Sequence, residues 1–313
     1  MLWEIGQLGF ERAEISHGTN ATLLPGIFNR IKNRGAQITS VHNFCPAPVE
    51  VSLDDPDVYQ FTSRHPGERQ RALDLTLRSL ETAARCEAQV LVVHLGSVPM
   101  RVGSACLEAM ARAGGLYSRE FCQLKLRLVR QREKLGARYL DPLRETLATI
   151  AARAAELGVK VGVESRSHYE QMPDEREMIL LMEAFRDDPA VGYWHDFGHV
   201  QRKANIGLLN HAEWIQRMTP FWLGSHVHDV DWPSTDHRIP FSSGPHGIDF
   251  DTLMPLVPRD KPLVWELSPR RNKREHVIAA REAWLQRFPP NGCVSPSGGA
   301  RPDADSLQQM TKE

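Results

Sequence analysis

The sequence predicts an α/β fold, a (β/α)8 barrel of parallel strands whose first strand is missing or altered. Three observations carry this. Short apolar runs alternate with longer amphipathic stretches along nearly the whole chain, as strands do when crossover helices join them. Seven such runs are visible, one fewer than a closed barrel needs. The competing open, doubly wound sheet requires a glycine-rich phosphate turn after an early strand, and the sequence has neither GxGxxG nor GxxxxGK[ST].

Taken in order, Leu2–Gly9 reads as the end of a helix, and Arg12–Ser16 is the first and weakest strand run. Gln37–Asn43 follows, then the helical stretch Arg69–Cys86 and the strand Gln89–Leu95. Residues about 98–140 form a helical insertion before the helix Asp141–Leu157, and Gly158 stands where a helix-ending glycine belongs. Val159–Glu164, the helix Asp174–Phe185, Val191–Asp196, Trp222–His228, Pro262–Leu267 and the helix Lys273–Phe288 complete one domain over 1–288. Inside the insertion, Tyr117–Arg138 carries seven Lys/Arg against two Glu. A solvated helix face is the common meaning of such a run; a basic lid over an anionic substrate is the functional one. Residues 289–313 are rich in Pro, Gly, Ser and Asp and are expected to be a disordered tail. A missing first strand would leave two strand edges, between Pro262–Leu267 and Arg12–Ser16, that invite a second copy and hence a homo-oligomer.

Composition narrows the partners. The chain of 313 residues has 38 Lys+Arg against 39 Asp+Glu, a net charge of −1. This argues against whole-surface binding to nucleic acid or anionic lipid, and nucleic acid is not an expected partner. No apolar stretch reaches the ~20 residues of a membrane span. Five scattered cysteines, Cys45, Cys86, Cys106, Cys122 and Cys293, form no CxxC pair. A reducing, cytoplasmic location is therefore expected.

The ionisable residues fall at the ends of the strand runs. SVHNF ends on His42, VLVVHLGS on His94, VGVESR on Glu164, HDFGH on Asp196 with His199 beyond it, SHVHD on His226 and His228, and VWELSP on Glu266. In a parallel barrel these ends share one face, where such folds build active sites. The set is that of a divalent-metal centre with mixed nitrogen and oxygen donors. Side chains alternate along a strand, so with Asp196 inward His195 turns out toward the helices. The same spacing leaves His226 and His228 as alternatives. Asp229 is a candidate to orient one imidazole. Arg166, two beyond Glu164, is in reach of a substrate oxygen or of a surface ion pair.

With LGFERAEIS and TDHRIPFSSGPHGIDF added, these pieces span about residues 8–285. The chain resembles the xylose-isomerase-like TIM-barrel superfamily, which holds the sugar phosphate isomerases/epimerases and the endonuclease IV (AP endonuclease family 2) proteins. The resemblance implies a main metal held by Glu164, Asp196, His226 and Glu266, with His42 and His94 completing a second site in the endonuclease-like branch. It implies that His199 binds substrate or a further metal. Asp236 and His237 resemble the loop Asp and His of a third zinc, although the pattern there is Asp-x-His and here Asp-His-Arg. The activity implied is a metal-dependent (Mn, Mg, Co or Zn) isomerase or epimerase of a sugar-like polyhydroxy substrate. Glu164 and Glu266 would carry the proton through an enediolate. The alternatives are a metal-dependent phosphodiesterase or AP endonuclease, or other metal-assisted chemistry on a small hydroxylated molecule.

Overall fold

A computed structural model describes residues 2–50, 55–268 and 272–289. Seven parallel strands are nearly closed into a barrel of the TIM type: β1 (Arg12–Ile15), β2 (Gln37–His42), β3 (Val90–Val93), β4 (Lys160–Glu164), β5 (Val191–Asp196), β6 (Trp222–Val227) and β7 (Leu263–Trp265). They pair in that order. Each expected strand is present: Val191–Asp196 has the expected bounds, the run ending at Glu164 loses only its first residue, and the others end a residue or two early, so His94, His228 and Glu266 stand just past β3, β6 and β7.

The barrel interior has a floor and a rim. Trp194 on β5 is fully buried and packs with Val90 and Val92 of β3, Leu223 and Val264. Its indole needs room on both neighbouring strands. A Cβ on Gly224 would lie 2.4 Å from the Trp194 ring, and one on Gly162 would meet Trp194 at 3.3 Å. Alternation then sends the residues two further on, Asp196, His226 and Glu164, to the next layer up. Outside, the helices α2 (Leu24–Lys32) and α3 (Pro66–Arg85) cover the first strands. The face of α3 with Ala72, Leu75, Thr76, Ser79, Leu80 and Ala83 is buried, a helical spacing of three and four.

The insertion is built differently from its expected boundary. After α4 (Ser104–Arg112), one helix of 39 residues, α5 (Arg119–Leu157), runs straight through Pro142. A proline inside a helix costs a backbone hydrogen bond. Here the helix is held on both sides of it, by Leu128 and Arg132 before and by Leu143, Leu147 and Ile150 after, all buried. Gly158 ends it with φ 67°. Most of the basic run is solvated: Arg119, Arg127, Arg130, Lys134 and Arg138 are exposed, and Lys125 donates to the carbonyls of Ile206 and Gly207.

Leu2–Gln7 is a helix, α1, as its sequence suggested. Among the described residues no strand pairs the free edges of β1 and β7. Side chains fill that slot. Phe10 meets the Trp265 ring at 5.5 Å, and Leu8 and Leu267 join them against Ile239, Val277 and Ala280. Past the long helix, the fold continues with α6 (Glu175–Ala184), α7 (Phe197–Asn205), α8 (His211–Met218), α9 (Phe250–Leu253) and α10 (Arg274–Arg287). No described helix is long and apolar enough to cross a membrane. The expected tail begins at Pro289, and all of it beyond that residue lies outside the described residues.

Candidate metal centre

The six strand-end residues converge on the barrel mouth. Glu164, Asp196, His226 and Glu266 offer ligand atoms that all lie within 4.8 Å of one another. Three carboxylates face one imidazole nitrogen: His226 Nδ1 is 3.3 Å from Glu164 Oε1, 3.2 Å from Glu266 Oε2 and 3.7 Å from Asp196 Oδ2. Glu164 is also part of a second group with His42 and His94, whose Nε2 atoms lie 3.1 and 2.8 Å from its Oε2. His199, His228 and His237 form a third group at the rim.

The electrostatics suit a divalent cation. Burial alone would raise the Glu164 carboxyl, yet the positive charges of His94 and His226, with hydrogen bonds from His199 and His226, hold it well below the usual carboxylate range. Burial opposes ionisation of Glu266 too, and His226 and His237 overcome it. Burial disfavours the charged form of His226, while Glu14, Glu266 and Glu164 raise it well above an ordinary histidine. The imidazoles of His94, His226 and His237 are thus set among several buried carboxylates that favour their charged forms. Glu266 Oε2 is buried without a hydrogen bond. Carboxylate oxygens and imidazole nitrogens gathered this closely are the donor set that suits a divalent cation.

The surroundings orient the ligands. Glu14, on β1, bonds His226 Nε2 at 3.0 Å and accepts from Ser40. Asp57 lies 3.1 Å from His94 Nδ1, and the carbonyl of Asn43 lies 2.9 Å from His42 Nδ1. Glu14 and Asp57 were not among the residues singled out from sequence. A carboxylate between Ala13 and Ile15 inside the first strand run was the signal for Glu14. Asp57 sits in an irregular loop and offered none.

Asp196 also caps α7, accepting from the His199 backbone N–H at 2.6 Å. The backbone N–H of His237 donates to His228 Nδ1. That fixes the proton of His228 on Nε2, from which it donates to Asp196 at 3.1 Å. His226, then, faces the group of four, and His228 braces Asp196 from the side. His228 needs the glycine of HDFGH, because a Cβ on Gly198 would sit 2.0 Å from its ring.

His195 does turn outward, contacting Tyr193 and His211 at 2.8 and 3.1 Å. Asp229 orients no imidazole with its carboxylate. Its Oδ1 accepts from the backbone of Val230 and Ile248 and so pins the loop before α9. Asp236 stands outside the group of three histidines, because Arg202 takes its Oδ2 at 2.5 Å while its Oδ1 lies 2.9 Å from His237 Nδ1. Arg202 also grips Glu108 of α4 with Nε and Nη2, so the insertion buttresses this corner of the mouth.

The chain belongs to the xylose isomerase-like TIM barrel family, whose model matches residues 5–288. Comparison with curated proteins found no match. Among solved structures, it is similar to a D-tagatose 3-epimerase-like protein, with a TM-score of 0.62 at 18% identity over 92% of this chain and 91% of the other. It is also similar to the 3-keto-D-glucoside 4-epimerase YcjR from E. coli (TM-score 0.59, 17% identity, 91% and 92% covered). A D-allulose 3-epimerase from Methylomonas sp. in complex with D-allulose gives a TM-score of 0.61 at 13% identity, covering 92% and 90%. At these identities the likeness shows the fold.

Proposed function

We propose that the protein is a divalent-metal-dependent isomerase or epimerase of a sugar-like polyhydroxy substrate. The convergence of Glu164, Asp196, His226 and Glu266 carries this reading, and the likeness of the fold to that of sugar epimerases supports it. A cation held by these four would polarise a substrate carbonyl and its neighbouring hydroxyl. The two glutamates differ in what they can do. Glu266 is 26% exposed and Glu164 1%. Glu164 has an imidazole at each side, from His42, His94, His199 and His226. Glu266 therefore takes the proton from the carbon next to the carbonyl. Glu164 holds the site and reaches substrate only where one of its imidazoles gives way. His237, whose Nε2 lies 3.6 Å from Glu266 Oε2, would steady the Glu266 carboxylate with its positive charge.

The test is solvent hydrogen exchange. Glu266→Gln keeps a coordinating oxygen but loses the basic carboxylate. It should lower exchange of the substrate's carbon-bound hydrogen by ~10²–10⁴-fold while manganese content holds. Glu164→Ala and Asp196→Ala should lose the metal itself. Full metal occupancy in both alanine variants would refute the centre. Undiminished exchange in Glu266→Gln would refute the proton carrier.

A second reading, metal-dependent phosphodiester hydrolysis, is favoured by the sharing of Glu164 between two groups, as a bridging carboxylate between two cations requires. Two or three zinc ions per chain, with nicking of abasic duplex DNA, would support it. One manganese, magnesium or cobalt ion with no nicking is the expected result.

A further inference from the structure

We propose that the substrate carries an oxyanion, a carboxylate or a phosphate ester, and that Arg166 binds it. This rests on the reading above, because it names which polyhydroxy compounds the same site accepts.

Arg166 lies two residues beyond Glu164 at the end of β4. Its side chain is 3% exposed, and its Nε and Nη1 are buried without a hydrogen-bond partner. Nη2 donates to Asp57 Oδ2 at 2.5 Å. The other oxygen of Asp57 reaches His94, which in turn reaches Glu164. The guanidinium is therefore one carboxylate away from the group of His42, His94 and Glu164.

Three other cations of the site's surroundings have every donor nitrogen engaged. Arg202 is held by Glu108 and Asp236. Arg132 is held by Glu177 and by the carbonyls of Tyr169 and Gln171. Lys203 is paired with Glu175. Arg166 alone of these four has donor nitrogens with no hydrogen-bond partner. A buried, charged donor left unmet costs more than a neutral one. Its planar fork suits the paired oxygens of a carboxylate or phosphate better than a sugar hydroxyl. Asp57, 24% exposed, is the more open member of the ion pair. Its carboxylate marks the kind of group the guanidinium accepts at the mouth, and a substrate oxyanion joins it there or exchanges with it.

The experiment measures binding of D-gluconate, D-glucitol 6-phosphate and neutral D-glucitol to the manganese-loaded full chain by calorimetry. At least one charged compound should bind at least about tenfold tighter than D-glucitol. Arg166→Met should abolish that preference with manganese content unchanged. Arg166→Lys, which keeps the charge without the fork, should retain part of it. Asp57→Asn, which removes the internal competitor, should strengthen it. Which charged compound leads decides between carboxylate and phosphate. No charge preference in the native protein, or a full preference in Arg166→Met, overturns the proposal. Should Arg166→Met lose its metal, the Lys and Asn variants decide, and equal behaviour of both with the native protein overturns it. Lost solvent exchange with the preference intact counts against the isomerase reading alone. Intact exchange without preference counts against Arg166 alone.

Discussion

At the scale of single residues, the mouth of the barrel is a set of opposite charges that hold one another in place. His237 shows the consequence for pH. Burial works against its charge, but Asp236 and Glu266 raise it from 6.5 to about 11. A group raised on folding contributes stability that is complete below its unfolded value and lost as pH rises through the folded one. His226 is shifted in the same sense. The depressed carboxyls Glu164 and Glu266 act oppositely: their contribution is present above 4.5 and lost as pH falls through their lower folded values. The metal-stripped protein should therefore be most stable between about pH 4.5 and 6.5 with respect to these groups. It should weaken as pH rises toward 11, and His237→Asn should flatten that upper slope. Urea unfolding of the EDTA-treated protein across pH measures it, and an unchanged slope in the variant would count against the His237 pairing. Metal uptake should rise over the same range, since a ligating imidazole must first lose its proton.

Among the elements, α5 does more than fill the surface. Its Arg132 is fully buried and donates to Glu177 at 2.9 and 2.6 Å and to the carbonyls of Tyr169 and Gln171. Glu177 is at the same time the third residue of α6 and half of a capping box with Asp174. One guanidinium so ties the insertion helix, the start of α6 and the loop after β4 that carries Arg166. Removing one partner of a buried pair leaves the other charge uncompensated. Arg132→Met should lower the unfolding free energy by roughly 3–5 kcal/mol, read by urea denaturation. A loss under about 1 kcal/mol would mean that Glu177 finds water instead.

For the whole molecule, the distinctive feature is the slot between β1 and β7. Both strands are only partly buried, whereas β3, β4 and β5 are covered almost throughout. Phe10 and Trp265 close the slot with rings but supply no backbone partners. The amides of β1 and β7 that face it should exchange with solvent roughly a thousandfold faster than those of β3 to β5, a gap of about 4 kcal/mol in opening free energy. Hydrogen exchange followed by mass spectrometry tests this. Equal protection would mean that a second copy pairs the edges, the arrangement that exposed strand edges invite.

Strand-and-helix alternation made the barrel legible from the sequence, and strand-end ionisable residues made six of the site's side chains legible. Both are local patterns: a strand's period of two tells which residues share a face, and parallel strands put their ends on one side. The helix at Leu2–Gln7 and the outward turn of His195 were readable for the same reason. Distances across the barrel were not. Nothing in SHVHD distinguishes His226 from His228; the backbone N–H of His237, nine residues on, does so by occupying His228 Nδ1. Nothing in VESR and WELS separates the two glutamates, yet folding encloses Glu164 among four imidazoles and leaves Glu266 at the mouth. Asp57 and Arg166, 109 positions apart, meet only because a loop folds over the rim. Sequence by itself determined which residue types reach the mouth of this barrel. Tertiary structure decided which of them touch, because burial and charge pairing depend on neighbours that the chain brings together only when the sheet has curled.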